Sequence, residues 1–231
     1  GGPQIGEILK KKHIESKFVE GLRVTDKNVV KIVEEVLSSD INKKIVDDIK
    51  ASGGKAVGLS GNKNSLITAK KLQLNIYNKT DSNIERILDL GFVGEPTKIQ
   101  TSIIEDSIAN GYIPVIAPLG TDDSGNTYNI NADTVAGSIA RAMKASKLLL
   151  LTDVAGINDA NNKLISSLSI KEAKEIINKD FIVGGMKPKI ETCINAIDQG
   201  VRQATILDGR VPHSLILELF TEHGIGTQIY S

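Results

Sequence analysis

The sequence predicts an α/β protein with a three-layer αβα arrangement, in which helices cover both faces of an open, mainly parallel sheet. Three observations predict it. Short runs of branched apolar residues, bounded by Gly, Asp or Asn, recur at 56–59, 112–117, 148–152 and 204–207, and their unbroken apolar character is that of strands buried on both faces. Between them lie segments whose apolar residues repeat at helical spacing, and strands alternating with helices build a parallel sheet. The length, 231 residues, exceeds the roughly 100 to 200 residues usual for one domain and allows one large unit or two lobes.

In chain order, Val29, Val30, Ile32, Val33, Val36 and Leu37 form the first long helical stripe after a cap at Thr25, and Ile41, Ile45 and Ile49 extend it until Gly53-Gly54 stops the helix. The strand at 56–59 follows. The polar stretch 61–82, with Asn62, Asn64, Asn75, Asn78 and several lysines, reads as an excursion from the sheet, a protruding hairpin. Helices are expected at 99–110, 132–145, 169–178, 189–199 and 212–221, separated by the remaining apolar runs. A boundary near Ala145 divides the chain into lobes 1–145 and 146–231. In such sheets ligands bind beyond the carboxyl ends of the strands, in loops leading into helices.

Composition removes several classes of function. Lys plus Arg and Asp plus Glu stand at 28 each, so no global field attracts nucleic acid or an anionic membrane, and any anion must be held locally. Cys193 is the one cysteine; it excludes an intramolecular disulfide framework and points to a reducing compartment. No apolar run approaches the ~20 residues of a membrane helix and the start lacks a signal-peptide pattern, so a soluble, cytoplasmic or organellar stromal protein is expected. His13, His213 and His223 are scattered without acidic partners at ligand spacing, so no metal site is expected from them. Neither G-x-x-x-x-G-K-[ST] nor G-x-S-x-G occurs, which removes P-loop kinases and α/β-hydrolases. The chain opens Gly1-Gly2-Pro3-Gln4 without Met, and a further segment upstream is expected.

Five stretches carry residues suited to chemistry. Gly1-Gly2, ahead of an apolar helical run, can bring backbone N–H groups close to an anion at a helix start; an ordinary turn explains it as well. Gly21-Leu22-Arg23 presents an arginine fork suited to bidentate capture of a carboxylate, or a solvated side chain. In Tyr128-Asn129-Ile130-Asn131-Ala132-Asp133-Thr134 the Asn amides can orient a ligand while Asp133 holds lysines in place, although Asn and Asp also cap helices. Thr152-Asp153-Val154-Ala155-Gly156-Ile157 directly follows the most apolar strand, where a nucleotide is expected and where a plain turn also fits. In Gly184-Gly185-Met186-Lys187-Pro188-Lys189, Pro188 at a first helical position puts two lysines at the positive end of the macrodipole. A bound phosphate turns that unfavourable placement into attraction; the alternative is a lysine reaching into solvent.

Together these stretches resemble the amino acid kinase family, and within it the N-acetylglutamate kinases. The resemblance runs in order through GGPQIGE, FVEGLRVTD, NKKIVDDI, GGKAVGLSG, DLGFVGE, GYIPVIAPLG, YNINADTVAG, LLLLTDVAGI, GGMKPK and DGRVPHSLILELF with EHGIGT. It implies ATP-dependent phosphorylation of the side-chain carboxylate of N-acetyl-L-glutamate in arginine biosynthesis, with Mg²⁺ held mainly by the nucleotide phosphates. It also implies roles for residues: Gly1 and Gly2 as backbone donors near substrate and transferring phosphate, Arg23 and Asn129 as substrate binders, Asp133 as organiser of the cations, and Lys189 as stabiliser of the phosphoryl group. Asp153, Val154, Ala155, Gly156, Ile157 and Asn158, with Phe181, Ile182 and Val183, would line the ATP site.

The same resemblance assigns amino-acid binding and dimerisation to the first lobe and ATP to the second. Family members begin with a strand bearing a lysine and a Gly-Gly turn, which would precede Gly1. Without that segment the chain is expected to be poorly active or unstable. Lys187 stands where the family often has an apolar residue. The stretch 208–227, with His213 and Glu222-His223-Gly224-Ile225-Gly226, resembles the branch that arginine inhibits, which implies a homodimer or hexamer, arginine as feedback inhibitor and docking of a PII-type signalling protein. Two readings compete: a carbamate, uridylate, aspartate or glutamate kinase of the same fold, and a non-catalytic module that binds nucleotide or arginine.

Overall fold

The structure, a computed structural model, describes residues 1–77, 85–221 and 224–231. Asn78 and Ser82 of the expected hairpin, and Glu222 and His223 of the C-terminal stretch, lie outside the described residues. The chain divides into two compact units, Gly1–Ala132 and Asp133–Ser231. The division falls at the start of the helix whose far end, near Ala145, marks the boundary expected from sequence.

The first unit opens with α1 (Gly2–Lys11), a short antiparallel pair β1 (Phe18–Val19) and β2 (Leu22–Arg23), and α2 (Lys27–Glu34). The cap of α2 is Asp26, not Thr25: its carboxylate Oδ1 accepts from the N–H groups of Asn28 at 2.7 Å and Val29 at 2.9 Å. Thr25 is unavailable because its backbone is extended and paired, with its N–H on the Leu90 carbonyl and its own carbonyl accepting from Phe92. Asp26→Ala is expected to lower stability by about 1 kcal/mol, read as a lower urea midpoint at unchanged slope; an unchanged midpoint would remove the cap from the account.

A π-helical stretch (Glu35–Ile41) joins α2 to α3 (Asn42–Ala51). Each π turn inserts a residue relative to the α-helical repeat and rotates the faces that follow. The buried positions of α3 are therefore Asn42 and Val46, while Ile45 is exposed; the stripe expected through Ile41, Ile45 and Ile49 does not continue. Through α2 and into the first residues of the π stretch the stripe holds, and Val29, Ile32, Val33, Val36 and Leu37 pack with Ile5 and Leu9 of α1 and with Ala117 and Leu119. Each such side chain contributes about 1.5–3 kcal/mol on full burial.

β3 (Ala56–Ser60) pairs in parallel with β6 (Ile113–Ala117), with α4 (Thr101–Ala109) preceding β6. The polar excursion is a hairpin, but a longer and later one than the sequence suggests: β4 (Ile67–Tyr77) pairs antiparallel with β5 (Glu85–Ile99). These strands close with β7 (Leu119–Thr121) and β8 (Thr127–Ile130) into a small barrel in the order β4-β5-β8-β7.

In the second unit α5 (Ala132–Ala142) leads to β9 (Lys147–Thr152), then β10 (Ser167–Ser169), α6 (Ile170–Ile176), α7 (Met186–Asp198), β11 (Gln203–Asp208), α8 (Ser214–Phe220) and β12 (Thr227–Tyr230). The sheet order is β10-β12-β11-β9, with β9 and β10 parallel to their neighbours and β11–β12 antiparallel. Central β11 is buried over Ala204, Thr205, Ile206 and Leu207. β9, at the edge of this sheet, instead alternates: Leu148 and Leu150 are buried while Leu151 is 44% exposed. The core adds Ile157, Leu168, Ile190, Cys193, Ile197 and Ile229. α6 starts with a capping box, in which the Glu172 carboxylate accepts from the Ser169 N–H and Ser169 Oγ accepts from the Glu172 N–H.

α7 begins earlier than its proline suggests. Gly185 is the N-cap and Pro188 the third residue of the helix. Proline is tolerated there because the first four N–H groups of a helix have no acceptor within it. Lys189 accordingly stands a full turn inside the helix and not at its first residue.

Candidate active site

In the first unit the chain end and the turn before α2 converge on one arginine. Arg23 is 7% exposed; its Nη1 donates to Ser16 Oγ, its Nη2 donates to the Gly2 carbonyl at 3.0 Å, and its guanidinium carbon lies 4.5 Å from the centre of the Phe18 ring. Burial lowers its pKa from the ordinary value, but a guanidinium stays charged. Among the described residues no carboxylate is within ion-pair distance of it. A buried cation lacking an acidic partner carries a desolvation cost that an incoming carboxylate can relieve.

Asn129, on β8, donates from Nδ2 to Thr25 Oγ1 at 3.4 Å, and Thr25 Oγ1 donates in turn to the Arg23 carbonyl at 2.8 Å. The structure thus brings Gly2, Arg23 and Asn129 into one connected group through a threonine that the sequence reading places as a helix cap. Gly1 is the N-cap of α1, beside Leu37. Nearby, Glu34 on α2 accepts from Asn62 and from Lys63, each at 2.9 Å. Burial alone would raise its pKa, and the hydrogen bonds from Asn62, Lys63 and Thr127 lower it further than burial raises it.

In the second unit a cleft of about 480 Å³ opens where β9 ends. Asp153, Val154, Gly156 and Asn158 line it after β9, Phe181, Ile182 and Val183 line it from the loop before α7, and Gly185, Met186 and Lys189 close it from the start of α7. Gly184, with φ of +58°, makes the turn into the helix in a conformation that favours glycine. Of the residues expected in a nucleotide site, Ile157 instead is fully buried in the core and Ala155 is not part of the lining.

Asp159, Ala160 and Asn162 join the lining without having been singled out from sequence. They belong to a small hairpin tied by the Asn158–Leu164 bridge and by Asp159 Oδ1, which accepts from the N–H groups of Asn161 and Lys163 at 2.9 Å each. The Asn- and Asp-rich run Asn158-Asp159-Ala160-Asn161-Asn162 was the available signal. At the carboxyl end of β11, Asp208 is held down to about 2 by hydrogen bonds from the side chain and backbone of Arg210.

The lysine of the cleft is paired and only partly exposed. Lys189 Nζ meets Asp133 Oδ2 at 2.8 Å, with side chains 16% and 22% exposed. Asp133, in the first turn of α5, does not line the cleft, so it fixes the ammonium from behind. One turn later on α7, burial first and then Asp133 push the Cys193 thiol up to about 12, which keeps it neutral. Among the described residues no three His, Cys, Asp or Glu side chains are grouped to hold a metal ion. No helix among them is long and apolar enough to cross a membrane.

The sequence pattern of the amino acid kinase family matches residues 1–208. The chain belongs to the amino acid kinase family. This amino acid kinase is 52% identical over 230 residues to a protein of Afipia carboxidovorans named acetylglutamate kinase, covering 100% of this chain and 78% of the relative. A protein of the same name from Solidesulfovibrio magneticus is 55% identical over 229 residues, covering 99% and 76% of the two chains. Among solved structures, N-acetylglutamate synthase from Neisseria gonorrhoeae, complexed with coenzyme A and N-acetyl-glutamate, superposes with a TM-score of 0.82 at 26% identity, over 98% of this kinase and 49% of that chain. A structure from Streptococcus mutans UA159 gives a TM-score of 0.79 at 29% identity, over 100% and 83% of the chains.

Proposed function

We propose that this chain catalyses ATP-dependent phosphorylation of the side-chain carboxylate of N-acetyl-L-glutamate, forming N-acetylglutamyl 5-phosphate in arginine biosynthesis. The observation that carries the reading is identity of about half, over the whole chain, to proteins named acetylglutamate kinase. The residues of both units suit that chemistry.

Arg23, a buried cation without an acidic partner among the described residues, would hold a carboxylate of the acceptor; Asn129 and the backbone of Gly1 and Gly2 would complete its binding. The acceptor carboxylate is ionised at neutral pH, so no general base is needed. Its oxygen forms a bond to the γ-phosphorus while the bond from that phosphorus to the bridging oxygen breaks, and ADP leaves with the electron pair. Charge on the transferring group is then the main obstacle, met by positioned cations and N–H donors. Lys189, fixed by Asp133, would supply the cation of the second unit. Val154, Phe181 and Val183 would flank the nucleotide base, and Asp153, Gly156 and Asn158 the remainder of ATP. Mg²⁺ carried by the nucleotide phosphates would neutralise charge on them.

In this reading the first lobe, 1–145, binds the amino acid and dimerises and the second, 146–231, binds ATP. Arginine as feedback inhibitor, a PII-type partner and a dimer or hexamer belong to the same proposal. The decisive assay follows ADP release while offering N-acetylglutamate, carbamate, UMP, aspartate or glutamate, and traps any acyl phosphate with hydroxylamine. Hydroxamate from N-acetylglutamate with release of ADP is expected. Turnover of another acceptor and not of N-acetylglutamate would overturn the assignment.

A further inference from the structure

The hairpin that forms one wall of the cleft is fastened at its base by a residue distant in sequence. Thr227, the first residue of β12, is fully buried. Its Oγ accepts from the Ile157 N–H at 2.8 Å and donates to the Ile165 carbonyl at 2.6 Å. Ile157 and Ile165 are themselves joined, with the Ile165 N–H on the Ile157 carbonyl at 2.8 Å. They therefore form the two feet of the hairpin whose tip supplies Asn158, Asp159, Ala160 and Asn162 to the cleft.

The fit around the hydroxyl is close on the cleft side too. A Cβ on Gly156 would stand 2.6 Å from Thr227 Oγ and 3.0 Å from its N. Only a group that donates and accepts at once satisfies both feet, and a hydroxyl of Ser or Thr does so. Removing it leaves a buried N–H and a part-buried carbonyl unpaired, and the feet can regain partners only by moving. Any such movement displaces Gly156 and Asn158, which border the cleft directly.

We propose that Thr227 is a positioning residue for the nucleotide, holding the wall at 156–162 in the place that ATP requires while touching no ligand itself. The proposal rests on the reading that ATP occupies this cleft. A hydroxyl that merely supported the fold would affect melting and leave nucleotide affinity alone, so affinity is the quantity to measure.

Calorimetric titration with the non-hydrolysable analogue AMP-PNP and Mg²⁺ would compare the unsubstituted protein with Thr227→Val, Thr227→Ser and Val154→Arg, with a thermal melt of each. Thr227→Val, which keeps the shape and loses both bonds, is expected to bind about ten- to thirtyfold more weakly, on the scale of one or two lost buried hydrogen bonds. Thr227→Ser is expected to bind normally. Unchanged affinity in Thr227→Val, even with a lowered melting temperature, would overturn the proposal, as would an equal loss in Thr227→Ser. If Thr227→Val gives no folded protein, Thr227→Cys decides in its place: the thiol bonds only weakly, and a three- to tenfold loss is expected where no loss would refute. Val154→Arg fills the cleft itself. Normal nucleotide binding in that variant would show that ATP lies elsewhere, a failure of the underlying reading distinct from a failure at Thr227.

Discussion

Lys189→Met is expected to lower kcat by about 10²–10³-fold while the KM for each substrate changes by less than tenfold. Methionine keeps an unbranched stem and removes the ammonium with its charge and N–H donors, and loss of one preorganised electrostatic group at a reacting centre costs about 2.7–4 kcal/mol in the transition state. The ammonium is suited to that role because it is already held, 2.8 Å from Asp133 in a setting where both side chains are mostly buried. Little reorganisation is then needed when charge develops on the phosphoryl group. Single-turnover measurement of acyl phosphate checks this, with a melting curve to confirm folding, because the substitution also leaves Asp133 without its partner. A variant retaining normal kcat would remove Lys189 from the chemistry.

Arg23→Lys is expected to act on the other substrate. The charge is conserved but the planar fork is not, and a single ammonium cannot at once serve Ser16, Gly2 and a bidentate carboxylate. The KM for N-acetylglutamate is expected to rise about 10- to 100-fold, on the scale of one or two charge-assisted hydrogen bonds, with the KM for ATP unchanged. Initial rates with each substrate varied in turn give both values. A normal KM for N-acetylglutamate would show that the acceptor is held elsewhere, and an equal rise in both would point to general damage.

What could be read from the sequence followed from local pattern. The strands at 56–60 and 203–208 and the helices α5 and α6 announce themselves through apolar period and punctuation, and each depends mainly on residues within its own span. Features decided by packing did not. The π turn at 35–41 leaves no mark in composition, yet it determines that Asn42 and Val46 face inward in place of Ile45. Thr25 and Asp26 are both acceptable caps by residue type, and only the pairing of Thr25 with Leu90 and Phe92 separates them.

The candidate site shows the same division. Arg23, Asn129, Asp133 and Lys189 stand in short motifs whose chemistry is visible residue by residue. The hydroxyl of Thr227 lies 70 positions from the amide it accepts from, a separation over which spacing carries no information. The barrel of β4, β5, β8 and β7 likewise depends on pairings such as Val93 with Asn129, which no period within either strand can predict.

The single thiol of this protein is chemically silent for as long as α7 stays packed, because alkylating reagents attack the thiolate and Cys193 is both enclosed and neutral. Covalent modification at that sulfur therefore counts excursions in which the helix leaves the sheet. Lys189 rides one turn earlier on the same helix, so those excursions also loosen the lysine from its aspartate. How often the core opens and how steadily the ammonium is aimed are, in this molecule, two readings of one motion.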